Sequence, residues 1–344
     1  MLMRLVIDGF GKFIGVENGM VVIREKKQVL RKFNPEELKQ VVIAGKSAIS
    51  SDALILLAEK GVDVVILSGS EVAARLSHTL IGTVKTRREQ YLAYYDKRSV
   101  ILAKEIVKAK LKNQSNFLFN LAKARKETSP KIAEGLIEAK EAIDQKVNVL
   151  HSVEGEKIDE VRDHILGIEG LASDIYWNAI ASVIPAEYLF SGRRGNQGPR
   201  FAQDIVNAML NYGYAVLHAE CLKAVELAGL DPYAGFLHAD RSGRTSISID
   251  LMECFRQVVV DRAVVKLVTQ SQVKPEDCRF ENFICILNEE AKRKLLSEII
   301  ERLEAKTQYR GKNMSLSAVI LNQAREIASF LRNEGAYEAY TQSW

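Results

Sequence analysis

Residues 236–256, which read FLHADRSGRTSISIDLMECFR, contain the side chains of this chain that could do chemistry. They include one histidine, His238, and two carboxylates, Asp250 and Glu253. Residues three apart lie on the same face of an α-helix, so the two carboxylates can converge on one point. If the chain folds back so that His238 faces that point, the three side chains form a mixed oxygen and nitrogen site for a divalent metal.

This donor set favours a hard cation. A site with one histidine and two or three carboxylates suits Mn²⁺ or Mg²⁺ better than structural Zn²⁺, whose closed sites use Cys and His. It also differs from the two-histidine, one-carboxylate site of iron oxygenases. A metal held there would act as a Lewis acid on a phosphodiester and would activate a hydroxyl or a water for in-line attack.

Each of these residues also has a structural explanation. A histidine on an apolar segment is commonly a core residue, and Asp250 next to Ser248 is also consistent with a helix N-cap, with Glu253 completing a capping box. The ensemble favours a site, because the three side chains fall within sixteen residues and are flanked by arginine-containing loops.

Two loops supply arginines near the predicted metal site. Residues 191–200 read SGRRGNQGPR, with three arginines and no acid, and residues 241–244 read RSGR. The guanidinium group of arginine can donate two hydrogen bonds to phosphate oxygens, so these loops suit a phosphodiester substrate. Four of their arginines are predicted to contact phosphate: Arg193, Arg194, Arg241 and Arg244.

Positive charge is concentrated in one stretch of the chain. The net charge is only +4, yet residues 73–112 hold ten Lys or Arg against three Asp or Glu. Lys85, Arg87 and Arg88 are followed by three tyrosines, and a mixture of cations and rings suits nucleic acid. We predict DNA binding by these three cations. The alternative is a solvated basic helix that buries its tyrosines.

The order of the elements predicts two domains of different class. Short β-branched runs fill residues 1–72, and Asp-Gly at 8–9 and Asn-Gly at 18–19 favour tight hairpin turns between them. One short helix is predicted at residues 53–60. The prediction is an α+β protein with a β-rich dimerisation domain at 1–74, a linker at 75–84 and a larger all-α catalytic domain at 85–344.

Composition is that of an ordinary globular protein. Of the 344 residues, 47% are apolar and 27% are charged. We find no apolar run as long as the roughly 18 residues of a membrane span, and no signal peptide. Four scattered cysteines without a CxxC pair indicate free thiols in a reducing compartment, so we expect a cytoplasmic protein with no membrane association.

Four segments carry a resemblance to a known family. They are VVIAGKSAISSDALILLAEKGVDVVIL in the N-terminal part, GIEG around Glu169, DIVNAMLNYGYAVL from Asp204, and GLDPYAGFLHADRSGRTSISIDLMECFRQVVVDR from Gly229. Together they resemble the CRISPR-associated endonuclease and integrase of the spacer-acquisition machinery, CRISPR-associated protein one. The match is ordered and spans nearly the whole chain, whereas Glu169 taken alone is an unremarkable glutamate beside an apolar helix face.

The resemblance implies partners and site residues. Members of the family form homodimers that join a small ferredoxin-fold partner to integrate short DNA into a repeat array. Their metal ligands are a Glu, a His and a second carboxylate, which correspond here to Glu169, His238 and Glu253, with Asp250 as a neighbouring catalytic acid. Some members carry Asp in place of Glu253, so the sequence leaves open whether Asp250 or Glu253 binds the metal.

We therefore expect a metal-dependent endonuclease and integrase that acts on double-stranded and branched DNA by hydrolysis and transesterification. Water or a DNA 3′-hydroxyl would be the nucleophile, and DNA would be recognised mostly through its shape and backbone. One alternative is a non-catalytic nucleic-acid-binding scaffold in which the acids and His238 are structural. Another is a metal hydrolase of small phosphorylated molecules, which leaves the basic helices unexplained.

Overall fold

Strands and helices separate along the chain into two units, Met1–Ile81 and Gly82–Trp344. The computed structural model describes residues 3–26, 28–68, 71–76, 84–193, 201–238 and 242–342. The first unit is rich in strands and the second is mostly helical, so the predicted α+β class is confirmed. The last strand of the first unit ends at Leu76, two residues beyond the predicted end of the first domain.

The first unit is built from short strands and one α-helix among its described residues. The elements are β1 (Met3–Ile7), β2 (Lys12–Glu17), β3 (Met20–Glu25), β4 (Gln28–Phe33), β5 (Leu38–Ile43), β6 (Ala48–Ile49), α1 (Ser51–Glu59), β7 (Asp63–Ser68) and β8 (Glu71–Leu76). They form two four-stranded sheets, in the orders β1-β5-β7-β8 and β4-β3-β2-β6.

Of the two turns predicted in this unit, one is a hairpin and one is not. Asn18 and Gly19 have φ angles of 51° and 74°, and they join β2 to β3 in an antiparallel pair. The turn at residues 8–9 does not form a hairpin, because β1 pairs in parallel with β5 instead of with β2. Val41 and Val42 are buried, so β5 has the character of a central strand with parallel neighbours on both sides.

The second unit contains the helices that carry the candidate site residues. They are α2 (Val84–Ala93), α3 (Lys97–Arg125), α4 (Pro130–His151), α5 (Ile158–Ala181), α6 (Ile205–Leu227), α7 (Ser246–Glu253), α8 (Arg262–Thr269), α9 (Glu289–Glu304) and α10 (Leu316–Leu331). A π-helical segment, Arg256–Asp261, connects α7 to α8. Among the described residues, no helix is both long and apolar enough to cross a membrane.

Two short hairpins depart from the all-α domain that the sequence predicts. They are β9 (Cys278–Glu281) with β10 (Ile284–Leu287), and β11 (Lys306–Tyr309) with β12 (Lys312–Ser315). Both turns use residues with positive φ, at Asn282 and Phe283 in the first and at Arg310 and Gly311 in the second. Such turns join strands too short to give a clear alternating pattern in the sequence.

His218 on α6 connects that helix to the first turn of α7. Its Nε2 lies 2.9 Å from Thr245 Oγ1 and 2.8 Å from Ser248 Oγ. Burial, with a smaller contribution from the charge of Arg256, lowers the pKa of His218 to about 4. The imidazole is therefore neutral in the folded protein at neutral pH, and it fixes the start of the helix that carries Asp250 and Glu253.

We predict that folding stability decreases as the pH falls from 6.5 to about 4. Over this range His218 takes up a proton in the unfolded chain but not in the folded one, so protonation favours unfolding. The expected decrease in the free energy of unfolding is roughly 3 kcal/mol for such a shift in pKa. The free energy of unfolding, measured with urea across this range, should decline less in His218→Gln than in the wild type. His151→Gln, at an exposed histidine, is the control and should retain the wild-type slope.

Candidate active site

Glu253, the last residue of α7, is the point at which several helices meet. Its side chain is only 4% exposed. The ammonium of Lys110, on α3, pairs with Glu253 Oε2 at 2.6 Å and also with Oε1 of Glu169, on α5. The structure therefore brings Glu169 and Glu253 to the same lysine, although they are far apart in the sequence.

His238 lies between the two carboxylates of α7. Its Nδ1 is 2.6 Å from Asp250 Oδ1, and its Nε2 is 3.9 Å from Glu253 Oε1. Both acids face the histidine, as their three-residue spacing predicts. The helix begins at Ser246 with Thr245 as its N-cap, so the alternative in which Asp250 caps it is wrong.

Asp250 is fully buried and binds the segment that carries His238. Its Oδ2 accepts hydrogen bonds from the backbone N–H groups of Phe236 and Leu237, at 2.8 and 3.0 Å. Its Oδ1 accepts from the backbone N–H of His238 at 3.1 Å and contacts the ring Nδ1. Both oxygens are thus engaged, and the ring is turned so that Nε2 faces Glu253.

Arg256 is a site residue that the sequence analysis missed. Its Nη2 lies 2.9 Å from Glu253 Oε1, and its guanidinium lies 4.4 Å from the centre of the Tyr214 ring. Burial alone would raise the pKa of Glu253, but the charges of Arg256 and Lys110 outweigh it and hold that pKa well below its ordinary value. The three-residue spacing from Glu253 to Arg256 was a signal that could have identified it.

Lys110 was also missed as a site residue, because in the sequence it is one of the ten cations of the basic stretch at 73–112. It is only 9% exposed and lies between Glu169 and Glu253. Burial alone would lower its pKa, but the two carboxylates raise it above the ordinary value. No local pattern reveals this role, since both partners are distant along the chain.

A buried aspartate fixes the aromatic residues behind the arginines. Asp261 accepts hydrogen bonds from the hydroxyls of Tyr176 and Tyr214, at 2.8 and 2.5 Å. The Tyr214 ring also supports the guanidinium of Arg193, 5.3 Å from its centre, and Arg193 donates to Asn211 Oδ1 at 2.9 Å. Tyr214 thereby holds two arginines on the same side of the unit.

A cavity of about 780 Å³ is lined by these charged residues. Glu169 and Glu253 are in its lining, and so are Lys110, Arg193 and Arg256. Carboxylates that can hold a cation and guanidinium groups that can hold phosphate therefore share one space. This combination suits an anionic substrate that is joined to the carboxylates through a cation.

The structure describes two of the four arginines that the sequence predicts to contact phosphate. Arg193 lines the cavity. Arg244 is half-buried just before α7. Arg194 and Arg241 lie outside the described residues. Asp204, which follows the arginine-containing loop, is the N-cap of α6 and accepts a hydrogen bond from the backbone N–H of Asn207 at 2.8 Å.

Helix α2, which carries the predicted DNA-binding cations, contacts the turn that precedes His238. Lys85, Arg87 and Arg88 are exposed. Gln90, on the same helix, donates to the carbonyls of Asp231 and Ala234 at 3.0 and 2.7 Å. Two of the tyrosines of this region are 49% and 75% exposed, namely Tyr91 and Tyr95, which does not favour the alternative of a helix that buries its tyrosines.

The donors can be compared with those that a divalent metal requires. Among the residues that the structure describes, no group of three His, Cys, Asp or Glu side chains is arranged to hold a metal. The ammonium of Lys110 lies between the two glutamates instead. The donor chemistry nevertheless fits a hard divalent cation, because two carboxylates share one ammonium and an imidazole nitrogen lies 3.9 Å from one of them. Within the described part of the chain, Glu253 Oε2 receives no hydrogen bond of normal geometry.

Comparison with known proteins identifies the family. The profile of the family described as CRISPR associated protein Cas1 matches residues 5–301. The chain belongs to the Cas1 family. The relative named CRISPR-associated endonuclease Cas1 1, from Archaeoglobus fulgidus, is 60% identical over 99% of this chain and 100% of its own. CRISPR-associated protein Cas1 3 from Methanobrevibacter ruminantium is 33% identical over the same shares of the two chains.

Solved structures support the same assignment. A casposase bound to integration product superposes with a TM-score of 0.84 at 28% identity, covering 99% of this chain and 94% of that one. A Cas1 protein from Thermotoga maritima gives a TM-score of 0.76 at 19% identity, over 98% and 100% of the two chains, and supports the Cas1 fold alone. The resemblance inferred from the sequence motifs is thus confirmed.

We predict that Asp250→Ala lowers the free energy of unfolding by about 2–5 kcal/mol. The substitution leaves buried backbone N–H groups of residues 236–238 without acceptors, and each such group costs about 1–3 kcal/mol. Urea denaturation measures the loss. Asp174→Ala, at an exposed aspartate that also lines the cavity, should change stability by less than about 0.5 kcal/mol. Equal losses in the two variants would contradict the anchoring role of Asp250.

Proposed function

We propose that this Cas1 protein is a metal-dependent DNA endonuclease and integrase that inserts short DNA spacers into a CRISPR repeat array by phosphodiester transesterification and also cleaves DNA. The observation that carries the proposal is that Glu169 and Glu253 line one cavity together with arginines, while His238 Nε2 lies 3.9 Å from Glu253. The name of the 60% identical relative, an endonuclease, and the 0.84 TM-score to a casposase bound to integration product support the same chemistry.

Glu169, His238 and Glu253 would hold the metal, Mn²⁺ or Mg²⁺. When bound, such an ion supplies Lewis-acid polarisation of a phosphate and activation of water or a DNA 3′-hydroxyl. Asp250 would act as a positioning residue, because four donors already use its two oxygens. Glu253 is therefore the better candidate for the second carboxylate ligand.

The cations around the site would orient the DNA backbone. Arg193 is held by a tyrosine ring and an asparagine, so its guanidinium loses little freedom when it meets a phosphate. We include Arg194, Arg241 and Arg244 as further phosphate contacts on the basis of the sequence. Lys85, Arg87 and Arg88 on α2 would extend the contact to DNA outside the cavity.

We further propose that the protein acts in the cytoplasm as a homodimer with a small ferredoxin-fold adaptation partner. The predicted β-rich domain, residues 1–74, would mediate dimerisation. Strand β4 lies at the edge of its sheet, where Val29 and Leu30 are 39% and 48% exposed. Exposed apolar residues on an edge strand are suited to an interface.

The first test is strand cleavage and joining on branched DNA with Mn²⁺. We expect His238→Ala to reduce both activities by on the order of 100-fold or more, since it removes a proposed ligand. DNA affinity, measured by fluorescence anisotropy, should be retained because the cations of α2 are unchanged. His164→Ala, at an exposed histidine of α5, is the matched control and should remain active.

Two results of that test would favour other functions. Equal activity in His238→Ala and the wild type would remove the histidine from the mechanism. Tight DNA binding without metal-dependent cleavage or joining in any variant would favour a non-catalytic scaffold.

A second test concerns the basic surface of α2. Replacement of Lys85, Arg87 and Arg88 by Ala should make the dependence of log K on log salt concentration less steep, by about 0.9 for each DNA phosphate that the variant no longer neutralises. The control replaces three exposed lysines near the junction of α3 and α4: Lys123, Lys126 and Lys131. If both triple variants change the slope equally, α2 is not a specific DNA contact.

A further inference from the structure

We propose that Lys110 is an exchangeable internal cation, which occupies the position between Glu169 and Glu253 in the metal-free protein and is displaced when the divalent metal binds. The inference rests on the proposed function, since it takes these two glutamates as metal ligands. It adds a specific role for a lysine that neither the metal-binding motif nor the basic surface explains.

The contacts of Lys110 place its ammonium where a metal would be. Its Nζ pairs with Glu169 Oε1 and lies 2.6 Å from Glu253 Oε2. Divalent ions such as Mg²⁺ bind carboxylate oxygens at about 2.0–2.1 Å. An ion bound to both oxygens would use the same two acceptor atoms as the ammonium and would approach them more closely than the ammonium does. The two cations therefore exclude each other, by contact and by charge repulsion.

The ammonium also accounts for the stability of the site without a metal. The side chains of Lys110, Glu169 and Glu253 are 11%, 19% and 4% exposed. Two carboxylates so little exposed, and close enough to share one ammonium, would repel each other and lack hydration if no cation lay between them. Arg256 pairs with Glu253 Oε1, whereas Lys110 pairs with Oε2 of the same carboxylate. Arg256 therefore does not replace Lys110 as the cation between Glu253 and Glu169.

The surroundings leave room for the displaced side chain. Lys110 lines the cavity of about 780 Å³ together with Gln114, one turn further along α3. A lysine has a flexible four-carbon stem, so a change of rotamer moves its ammonium into that space while α3 stays in place. There it would face the arginines that line the same cavity and would be available to a phosphate of the DNA. Metal loading would thus release one additional cation for the substrate.

Lys108 provides a matched comparison on the same helix. It pairs with Glu105 at 2.5 Å, and its side chain is 18% exposed, against 11% for Lys110. Its partner is a neighbour within α3 rather than a residue from another helix. Removing its charge therefore tests the general effect of losing a half-buried lysine.

The test is calorimetric titration of the full chain with Mn²⁺ alone, in the absence of DNA. Lys110→Met removes the competing charge, so we expect it to bind Mn²⁺ on the order of 10- to 100-fold more tightly than the wild type. Without metal, Lys110→Met should have a lower Tm than the wild type, and Mn²⁺ should raise that Tm by a larger amount. Lys108→Met should match the wild type in Mn²⁺ affinity and in the size of the Mn²⁺-induced shift.

Unchanged or weaker Mn²⁺ affinity in Lys110→Met would overturn the exchange, because it would mean that the lysine and the metal coexist. If Lys110→Met does not fold without metal, Lys110→Gln serves instead, since its neutral amide is polar but carries no competing charge, and it should also tighten Mn²⁺ binding. Mn²⁺ binding only in the Lys110 variants, and not in the wild type, would also overturn the exchange, because the metal would then not displace the ammonium.

Glu169→Gln distinguishes this inference from the proposed function. Loss of Mn²⁺ binding in Glu169→Gln, with wild-type affinity in Lys110→Met, would overturn the exchange and leave the proposed ligands intact. Wild-type Mn²⁺ binding in Glu169→Gln would instead overturn the ligand set, and the exchange with it.

Discussion

The charge balance around Glu253 is the constraint on which the helical unit depends. This buried carboxylate is paired with Lys110 from α3 and with Arg256 from the segment after α7, and it faces His238 from the preceding loop. A carboxylate buried to this extent without partners is strongly unfavourable. The elements that carry these partners must therefore pack around α7 for the unit to be stable, so the candidate site is part of the core and not a surface addition.

Two buried aspartates, Asp250 and Asp261, organise the groups around Glu253. Asp250 collects the backbone N–H groups that precede and include His238 and so sets the direction of the imidazole. Asp261 collects the hydroxyls of Tyr176 and Tyr214 and so fixes the ring that supports the arginines. In both cases a fully buried carboxylate accepts at least two hydrogen bonds, and these hydrogen bonds make the groups around it rigid. The groups that would meet metal and DNA are held by residues that would touch neither.

The structural features that depend on residues close together in the chain could be predicted from the sequence. The Asn18-Gly19 hairpin follows from backbone preferences, and the common orientation of Asp250 and Glu253 follows from helical spacing. The features that could not be predicted depend on contacts between segments that are far apart in the chain. Strand β1 pairs with β5 because β5 is central in its sheet, which no property of the turn after β1 reveals. Lys110 shares the composition of a basic surface, and only its tertiary contacts give it a different role.

The π-helical winding of Arg256–Asp261 accommodates one extra residue between two contacts with the same tyrosine. Residues five apart point about 140° apart around an α-helix, and the wider turn of a π-helix brings them nearer to one face. Arg256 and Asp261 are five apart, and both contact Tyr214, one at the ring face and the other at the hydroxyl. Deletion of one residue between them would restore α-helical winding and place the two side chains four apart, which is again on one face of the helix. Relatives of this protein that lack one residue here should therefore have a continuous α-helix in this segment and keep both contacts with the tyrosine.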